Sequence, residues 1–350
     1  MANNKNLHKA NQAKKDEFYT QLADIEREVQ HYEKHFRGKT VLCNCDDPRI
    51  SNFFHFFSYN FERLGLKRLI TTCYKNQERD LFSQNDCERA IWLEYLGDRN
   101  GNRVPDPEEI GIQLLEGDGD FRSDECIDLL KQADIVVTNP PFSLFREYVD
   151  QLMKYEKKFL IIGSKNAITY KEIFRYIKEG KLWLGHQFQN GNAFFKIAGE
   201  AREYVGGVYD QETGLVKFRN CGWYTNLDYE ERHEDLILYK HYTPEEYPHY
   251  DNYDAIEVAK TADIPMDYSG VMGVPITFLD KYNPDQFEIL GITDRQASCG
   301  FRTKEYTEKD SPKYNDLNRR GVLLVNGEYK AIYARILIRN KRLSGATQGD

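Results

Sequence analysis

Four consecutive residues, Asn139-Pro140-Pro141-Phe142, place an amide, two rigid imino acids and an aromatic ring directly after the apolar run Ile135–Thr138. Such a turn suits attack by the exocyclic amine of a planar ring on an electrophilic carbon. Two fixed acceptors, the Asn139 side-chain oxygen and the Pro140 carbonyl, would take the two N–H groups as the nitrogen moves toward tetrahedral geometry, leaving its lone pair aimed at the electrophile. Proline has no N–H and a locked φ, so it holds those acceptors at little entropic cost. Phe142 is placed to stack on the ring, a contact worth roughly 1–3 kcal/mol that offsets part of the cost of extruding a base. No proton must leave before attack, so a Ser/His/Asp or Cys/His arrangement is not required. Alone, the tetrapeptide also reads as a strand-ending turn; the strand before it and the neighbouring motifs favour the chemical reading.

Three further segments carry polar groups, one ahead of a helix and two where strands end. Lys14-Lys15-Asp16-Glu17-Phe18-Tyr19-Thr20 precedes the first helix-compatible stretch and by itself is an ordinary helix start. The strand Val41–Cys45 delivers Asp46-Asp47-Pro48, without the Gly-x-Gly that marks a nucleotide-binding turn. Gly117-Asp118-Gly119-Asp120-Phe121 follows the strand Ile112–Leu115; it reads as a ligand turn or as a Gly/Asp turn ahead of a helix capped by Ser123 or Asp124. The strand Leu69–Tyr74 ends in hydroxyls and offers no acid. Asp98-Arg99-Asn100-Gly101-Asn102, with Glu109 eleven residues after Asp98, follows part of a calcium loop. Arg103 stands where the sharp turn takes glycine, and a plain Asn/Gly/Pro surface loop is the favoured reading there.

The elements that must position these residues alternate along the first half of the chain. Short β-branched runs at Thr40–Cys45, Leu69–Cys73, Ile112–Leu115, Ile135–Thr138 and Phe159–Gly163 are mostly separated by helix-compatible segments at Phe53–Leu64, Cys126–Gln132, Leu144–Tyr155 and Lys171–Lys178. That order predicts an α/β fold with a mostly parallel sheet covered on both faces and ligands at the carboxyl ends of its strands. Asp16–Phe36 has helical spacing and ends at Gly38. After Gly180 the texture becomes β-rich, with a hairpin predicted from Tyr204–Tyr209 and Leu215–Phe218 and a strand through Trp223-Tyr224-Thr225. From about Asn226 the chain is acidic, Pro- and Tyr-rich and without βα alternation. The expected divisions are a mobile tail over 1–13, a catalytic domain over 14–226 and a recognition region over 227–350.

Composition bounds what else the chain can be. Across 350 residues, 40% hydrophobic content supports a real core. No run of about 18 apolar residues occurs and the start lacks an apolar signal core, so the sequence predicts a cytoplasmic protein without a membrane segment. Seven scattered cysteines give neither a disulfide framework nor a zinc site, and no metal is expected; Cys43 and Cys45 read as packing thiols. A net charge of −8 excludes coating nucleic acid by bulk electrostatics. Its distribution is uneven: residues 301–350 hold 11 Lys or Arg against 6 acids, and residues 228–268 hold 12 acids against 3 bases. The basic stretch contains Arg319, Arg320, Arg335, Arg339, Lys341 and Arg342, candidates for contacts to a phosphate backbone. The alternation Tyr333, Arg335, Leu337, Arg339 fits an amphipathic strand with a solvated face equally well. For the acidic stretch, tyrosines serving as packing anchors on an ordinary solvated face is the favoured reading.

Taken in order, Asp16–Thr20, Asp46–Pro48, Asn139-Pro140-Pro141-Phe142 and a C-terminal region resemble the γ arrangement of amino-methyltransferases. Within that group, Phe159–Lys178, Leu182–Gly185, Gly222–Leu227, Tyr250–Ile256 and Met272–Leu279 resemble the EcoRI-type modification methylases, a likeness running from roughly residue 14 to 340. The resemblance implies a Rossmann-like, S-adenosylmethionine-dependent methyltransferase fold and a monomeric enzyme of a restriction-modification system. It implies methyl transfer to N6 of an adenine flipped from duplex DNA, with any cognate restriction endonuclease a functional rather than a physical partner. It further implies that Asn139, Pro140, Pro141 and Phe142 form the catalytic turn. Phe18, Tyr19, Thr20, Asp46, Asp47, Asp118, Asp120 and Phe121 are the implied cofactor residues, with Asp120 on the adenine amine and Phe121 lining the ring pocket. Phe194 and Phe195 are a second ring against the base or core phenylalanines. Two alternatives stay open: a methyltransferase of RNA bases or protein amides, and a non-catalytic DNA-binding protein on the same fold.

Overall fold

The computed structural model describes residues 18–44, 51–73, 90–102, 105–106, 109–186, 193–197, 207–210, 215–218, 220–294 and 301–344. The chain divides into two compact units, one of residues 1–165 with 184–228 and the other of residues 166–183 with 229–350.

The first unit is built on a sheet whose centre is β2 (Thr40–Cys43), β6 (Ile135–Thr138) and β7 (Lys158–Ser164), flanked on one side by β3 (Arg68–Cys73), β4 (Ile91–Tyr95) and β5 (Gly111–Leu114). On the other side lie β12 (Cys221–Thr225) and β8 (Trp183–Leu184), giving the order β5-β4-β3-β2-β6-β7-β12-β8. The pairings β3–β2, β2–β6 and β6–β7 are parallel. Those of β3–β4, β4–β5 and β7–β12 are antiparallel. The expected mostly parallel sheet is therefore corrected to a mixed one, with a parallel centre and antiparallel flanks. The physical distinction was present in the residues: β2 and β6 are buried throughout, as strands covered on both faces must be. By contrast β4, Ile91-Trp92-Leu93-Glu94-Tyr95, carries a charge among half-buried positions, and β5 is exposed along its length.

Helices α1 (Leu22–Val29), α2 (Asn52–Tyr59), α3 (Asp124–Gln132) and α4 (Phe145–Lys154) belong to this unit. The expected helix from Asp16 begins only at Leu22, because β1 (Phe18–Thr20) pairs with the distant β9 (Ala193–Ile197), a partner that local spacing cannot reveal. In α2 the sequence Asn-Phe-Phe-His-Phe-Phe buries Phe53, Phe54, Phe56 and Phe57, each worth roughly 1.5–3 kcal/mol relative to exposure. Asn60 interrupts the helix, its side chain donating to the Phe56 carbonyl at 2.8 Å, and a further turn over Phe61–Leu64 stops at Gly65 in the left-handed region, φ +63°. The predicted hairpin is present as β10 (Gly207–Asp210) and β11 (Leu215–Phe218), which join β9 and β1 in a four-stranded antiparallel sheet. Cys43, Cys73, Cys126 and Cys221 are buried free thiols.

The second unit contains α5 (Lys171–Lys178) and a sheet of β13 (Ile256–Glu257), β14 (Met272–Pro275), β15 (Phe287–Ile292) and β18 (Arg335–Asn340), ordered β13-β14-β18-β15. A hairpin of β16 (Val322–Val325) and β17 (Glu328–Ala331) accompanies it. Tyr250 and Tyr253 pack edge to face in a core with Ala255, Val271, Leu290, Leu323 and Leu337. Tyr229 and Tyr247 are buried as well, so four of the acidic stretch's seven tyrosines act as anchors, whereas Tyr239 is exposed. No described helix is long and apolar enough to cross a membrane.

Candidate active site

Asn139 leaves the carboxyl end of β6, the central parallel strand, where an open α/β sheet presents its ligands. Its side chain is only 6% exposed. Pro140 is buried, and Pro141 and Phe142 are half-buried. The turn closes when the Leu144 N–H donates to the Pro141 carbonyl at 2.9 Å; a single 3-10 turn over Phe142–Leu144 then leads into α4. Phe145, the first residue of α4, lies so tightly on β7 that a Cβ at Gly163 would collide with its ring, which makes glycine a packing requirement there. The ring also packs on Tyr224 with centroids 5.0 Å apart.

Strands β2 and β6 are pinned together at both ends. At their starts, the Thr40 N–H donates to the Asp134 carboxylate at 2.8 Å and the Asp134 N–H to the Thr40 carbonyl at 2.9 Å. At their finishes, the Thr138 hydroxyl donates to the Asn44 carbonyl, and the Tyr148 hydroxyl from α4 donates to Asn44 Oδ1. Register fixed at two points puts Asn44 beside the residue that precedes Asn139. Asn44, Thr138 and Tyr148 escaped the sequence reading. The available signal was an amide inside the apolar run Val41–Cys45, which a fully buried strand end tolerates only when its hydrogen bonds are met.

Of the implied cofactor residues, Asp46 and Asp47 lie outside the described residues, as do the side chains of Phe18 and Tyr19. Thr20 is 2% exposed, and its hydroxyl has no hydrogen-bond partner among the described residues. Its carbonyl accepts from Asn52 Nδ2 at 2.7 Å, which ties the N-terminal strand to the first residue of α2, shortly after the Asp46–Pro48 segment. On β9, Phe195 stands opposite Thr20 in the register, so the backbone that carries Phe194 and Phe195 borders the N-terminal segment.

The Gly117–Phe121 turn is held from beneath by Glu125, whose carboxylate accepts the Glu116 and Gly117 N–H groups at 2.8 and 2.7 Å. Ser123 is the cap of α3, accepting from the Cys126 N–H at 3.3 Å, so the capping role does not fall on the preceding aspartates. Asp118 accepts the Asp120 N–H at 3.0 Å. Asp120 is gripped by Arg122 through backbone and guanidinium hydrogen bonds, and Arg122 reaches on to Glu147 at 3.1 Å. Burial pushes the Asp120 carboxyl up, but the Arg122 bonds and charge outweigh it and hold the group below the usual range. Phe121 is buried and packs edge to face on Tyr148 at 5.0 Å. The structure thus brings Phe121, Tyr148, Asn44 and Thr138 into one chain of contacts that ends at the Asn139–Phe142 turn.

Against the family model described as adenine-specific methyltransferase EcoRI, the chain matches over residues 6–341. The chain belongs to the EcoRI family of adenine-specific methyltransferases. Among relatives, it is 51% identical to the Type II methyltransferase M.EcoRI of Escherichia coli over 346 residues, 98% of each chain. It is 38% identical to the Type II methyltransferase M.MgeORF184P of Mycoplasma genitalium, over 96% of this chain and 99% of that one. To the Type II methyltransferase M.MpnI of Mycoplasma pneumoniae it is 39% identical over 290 residues, 81% of this chain and 84% of that one. No solved structure matches the chain.

As a member of the EcoRI family the chain is an adenine-specific methyltransferase, and the basic residues of its second unit take on interest as nucleic-acid contacts. Arg319 is exposed. Arg320 sits 3.8 Å from Asp316 and lies over the ring of the exposed Tyr333. Arg339 is 3.9 Å from Glu288, Arg342 is 2.6 Å from Asp235, and Lys341 donates to the Pro284 carbonyl at 2.9 Å. Arg335 differs from all of these. Its guanidinium forks onto Glu257 at 2.7 and 3.0 Å, and the buried Tyr250 hydroxyl donates to the same carboxylate. The strand that carries it, β18, lies between β14 and β15, and Ile336–Ile338 are buried on both faces, so the expected alternation of exposed and buried positions is replaced by a continuous apolar run.

Proposed function

We propose that this EcoRI-family chain transfers the methyl group of S-adenosylmethionine to N6 of an adenine flipped out of duplex DNA. The observation that carries the reading is the burial of the Asn139 amide at the carboxyl end of β6, locked through Thr138 to Asn44 at the end of β2. Asn139 Oδ1 and the Pro140 carbonyl accept the two N–H groups of the amine, and these bonds strengthen as the nitrogen pyramidalises, which is where they accelerate reaction. Phe142, half-buried beside them, stacks on the extruded ring.

The residues fit the cofactor. The buried Thr20 hydroxyl, which has no hydrogen-bond partner among the described residues, the apolar face of Phe121 and the acceptor carboxylates of Asp118 and Asp120 are suited to a zwitterionic amino acid joined to an adenosine. When bound, S-adenosylmethionine supplies an electrophilic methyl on a sulfonium centre. Phe18, Tyr19, Asp46 and Asp47 complete its contacts in this reading. The Rossmann-like character of the first unit supports it, since the parallel centre of the sheet puts both strand ends on one edge.

The division of labour follows the two units, the first catalytic and the second recognising the site. Arg319, Arg320 and Arg339 contribute backbone contacts, and Arg335 serves as a strut. In this reading the enzyme works as a cytoplasmic monomer whose sites are protected against a cognate endonuclease.

The reading is tested by incubating the full chain with methyl-labelled S-adenosylmethionine and unmethylated genomic DNA, then digesting the DNA to nucleosides. Label in N6-methyldeoxyadenosine is expected; label in another nucleoside, or none in DNA while the cofactor binds, overturns it.

A further inference from the structure

Among the described residues, the strands of the β16–β17 hairpin pair only with each other, apart from the other strands of the second unit. The foot of the hairpin is fixed. Val322 is fully buried with Tyr306 and Leu317, and Leu323 packs in the core around Tyr250. The Val322 N–H donates to Asn252 Oδ1 at 2.8 Å, its carbonyl accepts the Asp251 N–H at 2.8 Å, and the Ile332 N–H donates to the Gly321 carbonyl at 2.8 Å. The tip is free of such packing: Leu324 and Val325 are 56% and 45% exposed. Asn326 and Gly327 close it in the left-handed region, φ +52° and +81°, as a two-residue hairpin turn requires.

Exposed apolar side chains are ordinary when scattered, and these are gathered. Six large hydrophobic side chains of the second unit are exposed among the described residues, and three of them, Leu324, Val325 and Tyr333, lie on this hairpin or two residues beyond it. The charges around them are mainly positive. Arg319 and Arg320 lead into the hairpin, Lys330 lies on β17 and Lys304 lies over Tyr329, against Glu328 in the hairpin and Asp316 beside Arg320. An apolar tip on a cationic foot complements a surface that is anionic at its rim and apolar at points within. The major groove of DNA is such a surface: phosphates border it, it admits a two-stranded ribbon, and the apolar group on its floor is the thymine 5-methyl. Four residues a strand give a ribbon roughly 13 Å long, which exceeds the groove's depth of about 8.5 Å.

We propose that the β16–β17 hairpin enters the major groove of the substrate duplex, with Leu324 and Val325 against thymine methyl groups and Arg319 and Arg320 on the flanking phosphates. The inference rests on the methylation of duplex DNA proposed above and names the element that reads the site. In the register Leu324 stands opposite Tyr329 and Val325 opposite Glu328, so the two apolar side chains occupy opposite faces of the ribbon and reach different base pairs. The anchored foot holds the ribbon in shape before DNA arrives, which keeps the ordering cost of docking small.

The test uses long unmethylated PCR fragments of identical sequence made with either dTTP or dUTP, so that the second set keeps its base pairing and loses its thymine methyls. Initial rates of labelled-methyl incorporation by the full chain at limiting DNA read kcat/KM on each set. The wild-type chain is expected to be slower on uracil DNA by roughly fourfold or more, the scale of one buried methyl. The chain carrying Leu324→Ala and Val325→Ala is expected to be slower on thymine DNA and to show a thymine-to-uracil ratio near one, with circular dichroism matching wild type; the single variants replace the pair should it unfold. Equal wild-type rates on the two DNAs, or the same ratio in wild type and the folded variant, overturn the hairpin's role and leave the methylation reading standing. A wild-type chain that labels no adenine in thymine DNA overturns the methylation reading and this one with it.

Discussion

The carboxyl end of β6 and the strand β18 are both buried centre strands carrying residues with suggestive chemistry, yet the two behave differently. At β6 the suggestive residue lies one step beyond the strand, where parallel geometry delivers it to the ligand edge of the sheet. In β18 the suggestive arginine lies within the strand itself, where a charge must find a partner, and Arg335 finds Glu257 with side chains 14% and 8% exposed. Position relative to the strand end, more than residue type, decides whether a polar group is available to a substrate or spent on the fold.

That contrast breaks most visibly if Arg335 turns out to be spare. Arg335→Ala leaves Glu257 buried with only Tyr250, and is expected to destabilise the chain by about 3 kcal/mol, the scale for breaking a buried pair, as read from urea midpoints. Arg319→Ala should leave stability unchanged and reduce the salt slope of DNA binding by about one. A neutral Arg335→Ala, or an Arg319→Ala that unfolds, would reverse the assignment of the two.

Tyr148→Phe sharpens the β6 side of the comparison. It removes one hydrogen bond to Asn44 while keeping the ring against Phe121, so about 1 kcal/mol of stability is expected to go. Turnover should fall several-fold with little change in DNA affinity, because Tyr148 acts through the strand ends; equal losses in turnover and DNA affinity would show a general packing defect.

The smallest effect concerns acid. Asp120 is held below its ordinary value, so the Asp120–Arg122 contribution is fully present above that value, about 3.9, and is lost as pH falls through the lower folded value. Arg122→Ala should therefore make the acid limb of a stability profile below about pH 4 shallower. An unchanged limb would show that the pair is solvent-screened.

How much of this was legible follows the same division. Ile135–Thr138 appears in the structure with the bounds its apolar run predicts, because a short buried strand between turns has few other solutions. The hairpin strand Leu215–Phe218 is likewise as read, and the Asp16–Phe36 segment becomes helical from Leu22 onward. β4 was not foreseen, because its charge among half-buried positions hides the strand pattern; β5 runs in the direction of the parallel centre as expected, but reaches it only through the antiparallel β4. At the site, Asn139–Phe142 stood out because proline and amide chemistry is local. Asn44, Thr138 and Tyr148 did not, because a positioning network exists only after strands and helices have met. The charge of Arg335 was legible, and its partner Glu257, 78 residues away, was not.

The central claim is that the Asn139 amide accepts from the amine as methyl transfer occurs and does little else. Turnover and S-adenosylmethionine dissociation constant should be measured side by side for the wild-type chain and Asn139→Ala. A loss of about 10²–10³ in turnover with cofactor affinity nearly intact is the predicted result; turnover close to wild type in a folded variant would contradict it.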